Sequence, residues 1–308
     1  MKILVVGAGA TGGYFGARLV QGGRDVTFLV RPGRAGVLRK RGLRIVEPGG
    51  GSVVEPNLVE AGGLDGTYDL VLLSVKATGL DAAIEDFAPA VGPGTVILPV
   101  LNGMRHIEVL AERFGDEAVL GGAARVVTTV NDEGDIVRVG GPHLLTYGAR
   151  STSVPDQVAE VEKAFTGVGF DAVLSDDIVE DMWTKWAFIT SVGAVTCLMR
   201  GSVGEVVAVP GGAAFAGAVV DEVAAIVAAA GHPVSETAVE STRSTVTTPG
   251  SPLTSSLYRD LVADQSVEVE ALFGDLLEVA ERVGAPAPLL GLTTGLLRVH
   301  QARVTGRG

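Results

Sequence analysis

The sequence predicts an α/β chain in two parts: a parallel sheet flanked by helices over residues 1–175, then an all-helical domain over 176–308. Three observations predict it. A glycine cluster, Gly7-Ala8-Gly9-Ala10-Thr11-Gly12, stands between the strand-like KILVV and the helical GYFGARLVQGG. Short β-branched runs alternate with helical patterns through the first half, as in parallel strands joined by helical crossovers. After about residue 175 the strand alternation stops.

Strands are expected at Ile3 to Val6, Val26 to Val30, Leu70 to Val75, Val96 to Val100 and from Val119 onward. Between Leu43 and Asp65 the chain is rich in Gly and Pro, and the short pieces RIVE and SVVE have no evident pairing partner. The stretch ARVVTTVNDEGDIVRVGGPHLLTYG carries turn signals at NDEG and GGP, so it should close the first domain with antiparallel strands. A helix should run from Pro155 to Phe165, and DAVLSDDI should supply a last strand followed by a helix start with Ser175 or Asp176 as N-cap. Helices are then expected at 177–199, about 211–230, 235–247, 253–283 and 289–303. The Ala-rich AAFAGAVVDEVAAIVAAAG is periodic and reads as a packed core helix.

Composition narrows the partners. The chain has 308 residues, 47% hydrophobic and 19% charged, with a formal net charge of -12. That length suffices for two domains, and that apolar content is too high for disorder. Nucleic acids and anionic membranes reward a basic face, so neither is an expected partner. The single cysteine, Cys197, excludes an internal disulfide, and no Cys/His spacing suggests structural zinc. A reducing compartment fits, and Met1-Lys2 leads directly into a strand, so a cytoplasmic location is expected. The apolar WAFITSVGAVTCLM falls short of the roughly 20 residues that span a bilayer.

The glycine cluster is GxGxxG in the setting that gives it meaning, after a strand and at a helix start, which makes the first domain Rossmann-type. Gly7 permits the tight turn, Gly9 lets a pyrophosphate approach the backbone, and Gly12 allows close helix packing. Ala8, Ala10 and Thr11 complete the loop whose N–H groups meet the phosphates. About 20 residues on, NAD-preferring sites place an acid for the ribose 2′-OH. Here the second strand ends in Val30-Arg31, and an arginine suits a 2′-phosphate; NADPH/NADP+ is therefore the expected cofactor, with Arg34 close enough to assist.

Lys76 follows DLVLLSV and Asn102 follows TVILPVL, so both should overhang the crevice beyond the strand ends. Taken singly, Lys76 reads equally as a solvated lysine at a helix start and Asn102 as a turn former with Gly103; their shared placement favours function. Lys185 stands in the otherwise apolar helix WTKWAFI, where an ammonium is costly unless paired, which makes it a candidate acid. Snorkelling from the helix start to water is the competing reading. Ser256 and Glu268 lie in SSLYRDLVADQSVEVE; spacing alone does not single out Glu268 among that stretch's charges. His106, His143, His232 and His300 show no ligand or triad spacing, and Cys197 reads as a small hydrophobe.

Taken together, GAGATGG, LVR at Arg31, SVKA at Lys76, LNG at Asn102, WTKW at Lys185 and SSLYRDLVADQSVEVE resemble the ketopantoate reductases, or 2-dehydropantoate 2-reductases, over nearly the whole length. The resemblance implies two domains and NADPH-dependent reduction of a 2-oxo acid, with 2-dehydropantoate in pantothenate biosynthesis the default. It implies that Lys185 polarises the carbonyl and gives the proton, and that Glu268 orients lysine and substrate. Asn102 and Lys76 would hold the nicotinamide end and the reacting groups, and Ser256 would contact the substrate. In one respect the chain departs from the family, which commonly has asparagines four and eight residues after the lysine, whereas here Ile189 and Gly193 stand in the substrate-binding positions. The departure implies a hydrophobic pocket for a different 2-oxo acid; Thr190 and Ser191 are the nearest substitute donors, but neighbouring helix positions point elsewhere.

Two other readings are compatible with the sequence. One is a non-catalytic NADP-binding sensor or scaffold; the other is a dehydrogenase of the phosphogluconate or hydroxyisobutyrate type, for which the SSLYRD to Glu268 stretch has no counterpart. The expected partner is a small-molecule 2-oxo acid, and monomer and homodimer are both open.

Overall fold

The computed structural model describes residues 1–151 and 157–306. They form two compact units: Met1–Leu101 with His106–Asp181, and Asn102–Arg105 with the chain from Met182. The sequence places the boundary between 175 and 176; the units divide inside a helix, and the Asn102 segment goes with the second.

The first unit contains β1 (Lys2–Val6), α1 (Ala10–Gln21), β2 (Asp25–Leu29), α2 (Pro32–Arg41), β3 (Leu43–Glu47), β4 (Gly50–Val54), β5 (Asn57–Val59), β6 (Leu70–Leu73), α3 (Leu80–Phe87), β7 (Val96–Pro99), α4 (Arg105–Phe114), β8 (Gly121–Val130), β9 (Ile136–Gly148), α5 (Gln157–Phe165) and β10 (Asp171–Leu174). Its main sheet is entirely parallel, in the order β5-β2-β1-β6-β7. Ile3, Leu4, Val5 and Leu70 through Leu73 are fully buried, which is why these strands are continuous apolar runs and were legible as such. The strand expected from Val119 onward forms as β8 but outside this sheet, Val119 itself making an isolated parallel bridge to Ile97; the fifth strand here is β5, at the opposite edge beside β2.

A second sheet runs β10-β9-β3-β4, with β8 antiparallel to β9. RIVE and SVVE thus pair with each other as β3 and β4, and β3 joins β9 in parallel. The antiparallel closure by β8 and β9 is as expected. Glu47 at the end of β3 accepts from Arg18 of α1 and, at 2.9 Å, from Arg138 of β9, tying the second sheet to α1. The helix expected to begin at Pro155 has its start outside the described residues; α5 is described from Gln157.

The second unit takes most of α6 (Ile178–Met199), then α7 (Val203–Ala208), α8 (Gly212–Ala229), α9 (Glu236–Val246), α10 (Ser256–Val262), α11 (Asp275–Val283) and α12 (Pro288–Thr305). The start of α6 is set by Asp177, whose carboxylate accepts from Glu180 N–H at 3.3 Å, and not by Ser175 or Asp176. Ser175 instead receives the Asp177 N–H at 3.0 Å and donates to Asp181. Helix α7, unforeseen, opens with a capping box in which Ser202 and Glu205 satisfy each other's backbone N–H groups.

The single long helix expected over 253–283 does not form. It breaks after α10 because Asp264 adopts φ +56° and the following loop is held by α12: Gln301 accepts from Val267 N–H at 2.8 Å, and a ring nitrogen of His300 bonds Gln265 O at 2.8 Å. The chain resumes through a π-helical turn, Glu270–Gly274, before α11. By length and composition α8 could cross a membrane, but Val219, Val220, Val223, Ile226 and Val227 are buried in the unit. Its Glu222 accepts from the N–H groups of Leu289 (3.1 Å) and Leu290 (2.7 Å), capping the start of α12.

Burial raises the pKa of Glu47, but the bonds from Arg138 and Arg18 outweigh it and hold the carboxyl below the ordinary value. A carboxyl whose folded pKa is depressed contributes stability present above its unfolded pKa and lost as pH falls through the folded one. Glu47→Gln is expected to destabilise the protein by about 1–3 kcal/mol at neutral pH. In thermal melts the gap to wild type should close in acid, below the usual glutamate range.

Candidate active site

The glycine turn is built by contact with the end of β6. Gly7 has φ +94°, and a Cβ there would stand 2.5 Å from the Ser74 carbonyl oxygen. A Cβ on Gly12 would stand 2.3 Å from the Gly7 carbonyl oxygen. The first and third glycines are therefore demanded by backbone crowding. Gly9 is different: a Cβ there would meet nothing within 4 Å. It is the N-cap of α1 and offers no side-chain cap, so the first N–H groups of that helix face outward beside open space.

Arg34 does not stand ready for a ligand as expected. Its Nε donates to Ala8 O at 2.8 Å and its Nη1 to Gly134 O at 2.6 Å, so it braces the glycine turn against the β8–β9 hairpin. Desolvation by burial lowers its pKa, partly opposed by Asp135. Arg31 is the opposite case. It is the exposed N-cap of α2, makes no ion pair among the described residues, and lays its Nη2 within 3.2 Å of where a Gly79 Cβ would be. Gly79 ends the short 3-10 turn that Lys76 caps, so the structure brings Arg31 to the loop after β6 that carries the exposed Lys76. The glycine at position 79 leaves room for the guanidinium, a role that only the turn-like composition of KATG could have hinted at.

In the helical unit, Lys185 is buried at 8% exposure, which removes the snorkelling alternative. Ile189 and Gly193 follow it at four-residue spacing along α6, one stripe of the helix. Next to that stripe lies the π-helical turn. Trp186 Nε1 donates to Leu272 O at 3.0 Å and Thr190 Oγ1 to the same oxygen at 3.4 Å. The fully buried Phe273 then places Cζ 2.9 Å from where a Gly193 Cβ would be. Asn102 belongs to this unit through Gly103, whose φ is +80° and whose absent Cβ would lie 2.2 Å from Ala271 O. Arg105 follows with an ion pair to Asp275 at 3.4 Å. The Asp275 carboxyl is pushed above its ordinary range by burial, with Arg105 opposing.

Glu268 is half-buried in the loop that leads into the π-helical turn, one residue before helix resumes, and not on a long helix. Ser256 is the exposed first residue of α10. Its neighbour Ser255 does the local work, accepting from Tyr258 N–H at 3.0 Å and bonding Thr196 Oγ1 of α6 at 2.8 Å. Trp186, Ser255 and Phe273 have no signal in the sequence, because each acts through a carbonyl, hydroxyl or ring far away in the chain, and Thr190, considered there as a substitute donor, is spent on Leu272 O. Cys197 is buried and its thiol is pushed up to about 11 by burial, as suits an inert hydrophobe.

A Rossmann-type parallel sheet with a glycine turn, followed by a helical unit with one buried lysine, defines the class of two-unit oxidoreductases. Comparison narrows it. The family model described as Ketopantoate reductase PanE/ApbA matches residues 3–152, and that described as Ketopantoate reductase PanE/ApbA C terminal matches residues 177–301. The chain belongs to the ketopantoate reductase family. It is 35% identical to the uncharacterized oxidoreductase YkpB of Bacillus subtilis, over 98% of this chain and 99% of the relative. Its fold matches the PanE/ApbA family ketopantoate reductase from Ralstonia eutropha with TM-score 0.88 at 23% identity, covering 99% and 100% of the two chains. A D-mandelate dehydrogenase solved with NADH and anilino(oxo)acetate matches with the same TM-score at 19% identity, covering 99% and 100%.

Gly103→Ala would force a Cβ into the Ala271 carbonyl at a positive φ, and should cost about 2–4 kcal/mol of stability. Denaturant titration measures it, and Gly9→Ala, with open space at its Cβ, should leave the midpoint unchanged.

Proposed function

We propose that the chain reduces a branched 2-oxo acid of the 2-dehydropantoate class to the 2-hydroxy acid with NADPH. The observation that carries this reading is the buried Lys185 on an otherwise apolar helix in a member of the ketopantoate reductase family. Other residues support it. Gly7 and Gly12 are forced by the backbone, while Gly9 leaves vacant the approach to the uncapped start of α1, which suits a pyrophosphate. Arg31 presents its donor fork over Gly79 with no acid at the end of β2, which favours a 2′-phosphate over a free ribose hydroxyl.

The nicotinamide, when bound, supplies the hydride that adds to C2 of the oxo acid. The residues of the chain handle position and proton. Lys185 Nζ donates to the 2-oxo oxygen, polarises the carbonyl, and gives up its proton as negative charge develops there. Glu268 orients the ammonium and restores its charge balance, while Asn102 and Lys76 hold the nicotinamide end and the reacting groups. Ser256 contacts the carboxylate of the substrate. Burial around Lys185 excludes water and strengthens each of these interactions.

NADPH oxidation measured at 340 nm with a panel of 2-oxo acids tests the reading; absence of turnover with every acid would defeat it. Lys185→Ala is expected to lower kcat by about 10²- to 10⁴-fold. Arg31→Ala should raise KM for NADPH about tenfold or more and leave KM for NADH little changed. Gly9→Ala should weaken NADPH binding by about tenfold while the melting temperature stays at the wild-type value.

A further inference from the structure

We infer that the preferred 2-oxo acid carries a hydrocarbon branch without a hydroxyl group, and that Phe273 enforces this by closing the space beside Gly193. The inference rests on the reductase reading and sharpens its substrate.

Three observations carry it. The stripe of α6 that continues from Lys185 presents Ile189, which has no polar atom, and then Gly193, which has no side chain. The space a side chain at 193 would need is filled: the Phe273 ring comes within 2.9 Å of the first added carbon. The π-helical turn keeps the ring there, because Trp186 and Thr190 both bond the carbonyl of Leu272, the residue before it.

The nearby hydroxyls are buried, Thr190 at 0%, Ser191 at 1% and Thr196 at 0% exposure, and each has already committed its one proton. Thr190 donates to Leu272 O, Ser191 to Ala187 O at 2.8 Å, and Thr196 to Val192 O at 2.7 Å. Every hydroxyl on α6 beyond Lys185 is engaged with a backbone carbonyl. A substrate hydroxyl brought against this stripe would lose its water and find hydrocarbon, the unfavourable side of hydrogen-bond exchange. A branch made of methyl groups or an aromatic ring meets no such penalty. An apolar wall rejects an added hydroxyl by about 10²-fold at most, which sets the size of the expected preference.

The test compares two acids that differ by that hydroxyl alone: 2-dehydropantoate and 3,3-dimethyl-2-oxobutanoate, with 4-methyl-2-oxopentanoate and phenylpyruvate as further hydroxyl-free acids. The wild-type enzyme should show kcat/KM about 10- to 100-fold higher for the best hydroxyl-free acid. Equal or higher kcat/KM for 2-dehydropantoate overturns the inference and leaves the reductase reading intact; turnover of none of the four overturns the reading beneath it. The double variant Gly193→Asn with Phe273→Ala opens the space and supplies an amide, and should move the ratio toward 2-dehydropantoate by about tenfold or more. Should that variant melt below assay temperature, Gly193→Ser with Phe273→Leu replaces it. A ratio unmoved in a folded variant removes Phe273 from the account, since a merely structural role would change both substrates alike.

Discussion

The hydrogen bond from the Trp186 indole to the Leu272 carbonyl, at 3.0 Å, is the contact around which the candidate site of the helical unit is arranged. It joins α6, which carries Lys185, to the π-helical turn, and that turn in one short stretch supports Gly103 through Ala271 and fills the space at Gly193 through Phe273. Widened turns of this kind recur at functional sites because they offset the residues on either side of them. Here the offset lets one segment face both a helix and a loop. Glu268 stands just ahead of it, so whatever fixes the turn also limits where that carboxylate can go.

In the first unit the equivalent constraint is steric. Gly7, Gly12 and Ser74 are packed so closely that the glycine turn has one shape, and Arg34 holds that shape from the other side by its bond to the Ala8 carbonyl. A rigid turn presents the start of α1 in a fixed direction, which is what recognition of a phosphate through backbone N–H groups requires. The distinction between Arg31 and Arg34 follows from the same geometry. Both are cations near the turn; one is engaged by carbonyls, and the other remains exposed above Gly79.

Much of this was readable in the sequence, and the limits have physical causes. Apart from Lys2 at the start of β1, the strands β1, β6 and β7 are apolar because both of their faces are covered, and they were legible as short continuous apolar runs. The three-residue β5 has too few positions to show a period, and β3 and β4 pair across a stretch of Gly and Pro that conceals both strands. The break between α10 and α11 was invisible because it is imposed by Gln301 and His300 from the last helix. Lys185 was legible as a charge in apolar surroundings. The filling of the space beside Gly193 by the ring of Phe273 was not, since nothing local in either stretch records the other.

Glu222 has a consequence for truncation. Helix α8 is hydropathic enough to suit lipid, and its carboxylate is half-buried because the first N–H groups of α12 receive it. A chain ending before Pro288 would strip that carboxylate of both donors and uncover the valine face beside it. Such a fragment would combine an orphaned charge with a bared apolar strip, and its fate would be clumping or adsorption to bilayers instead of partial activity.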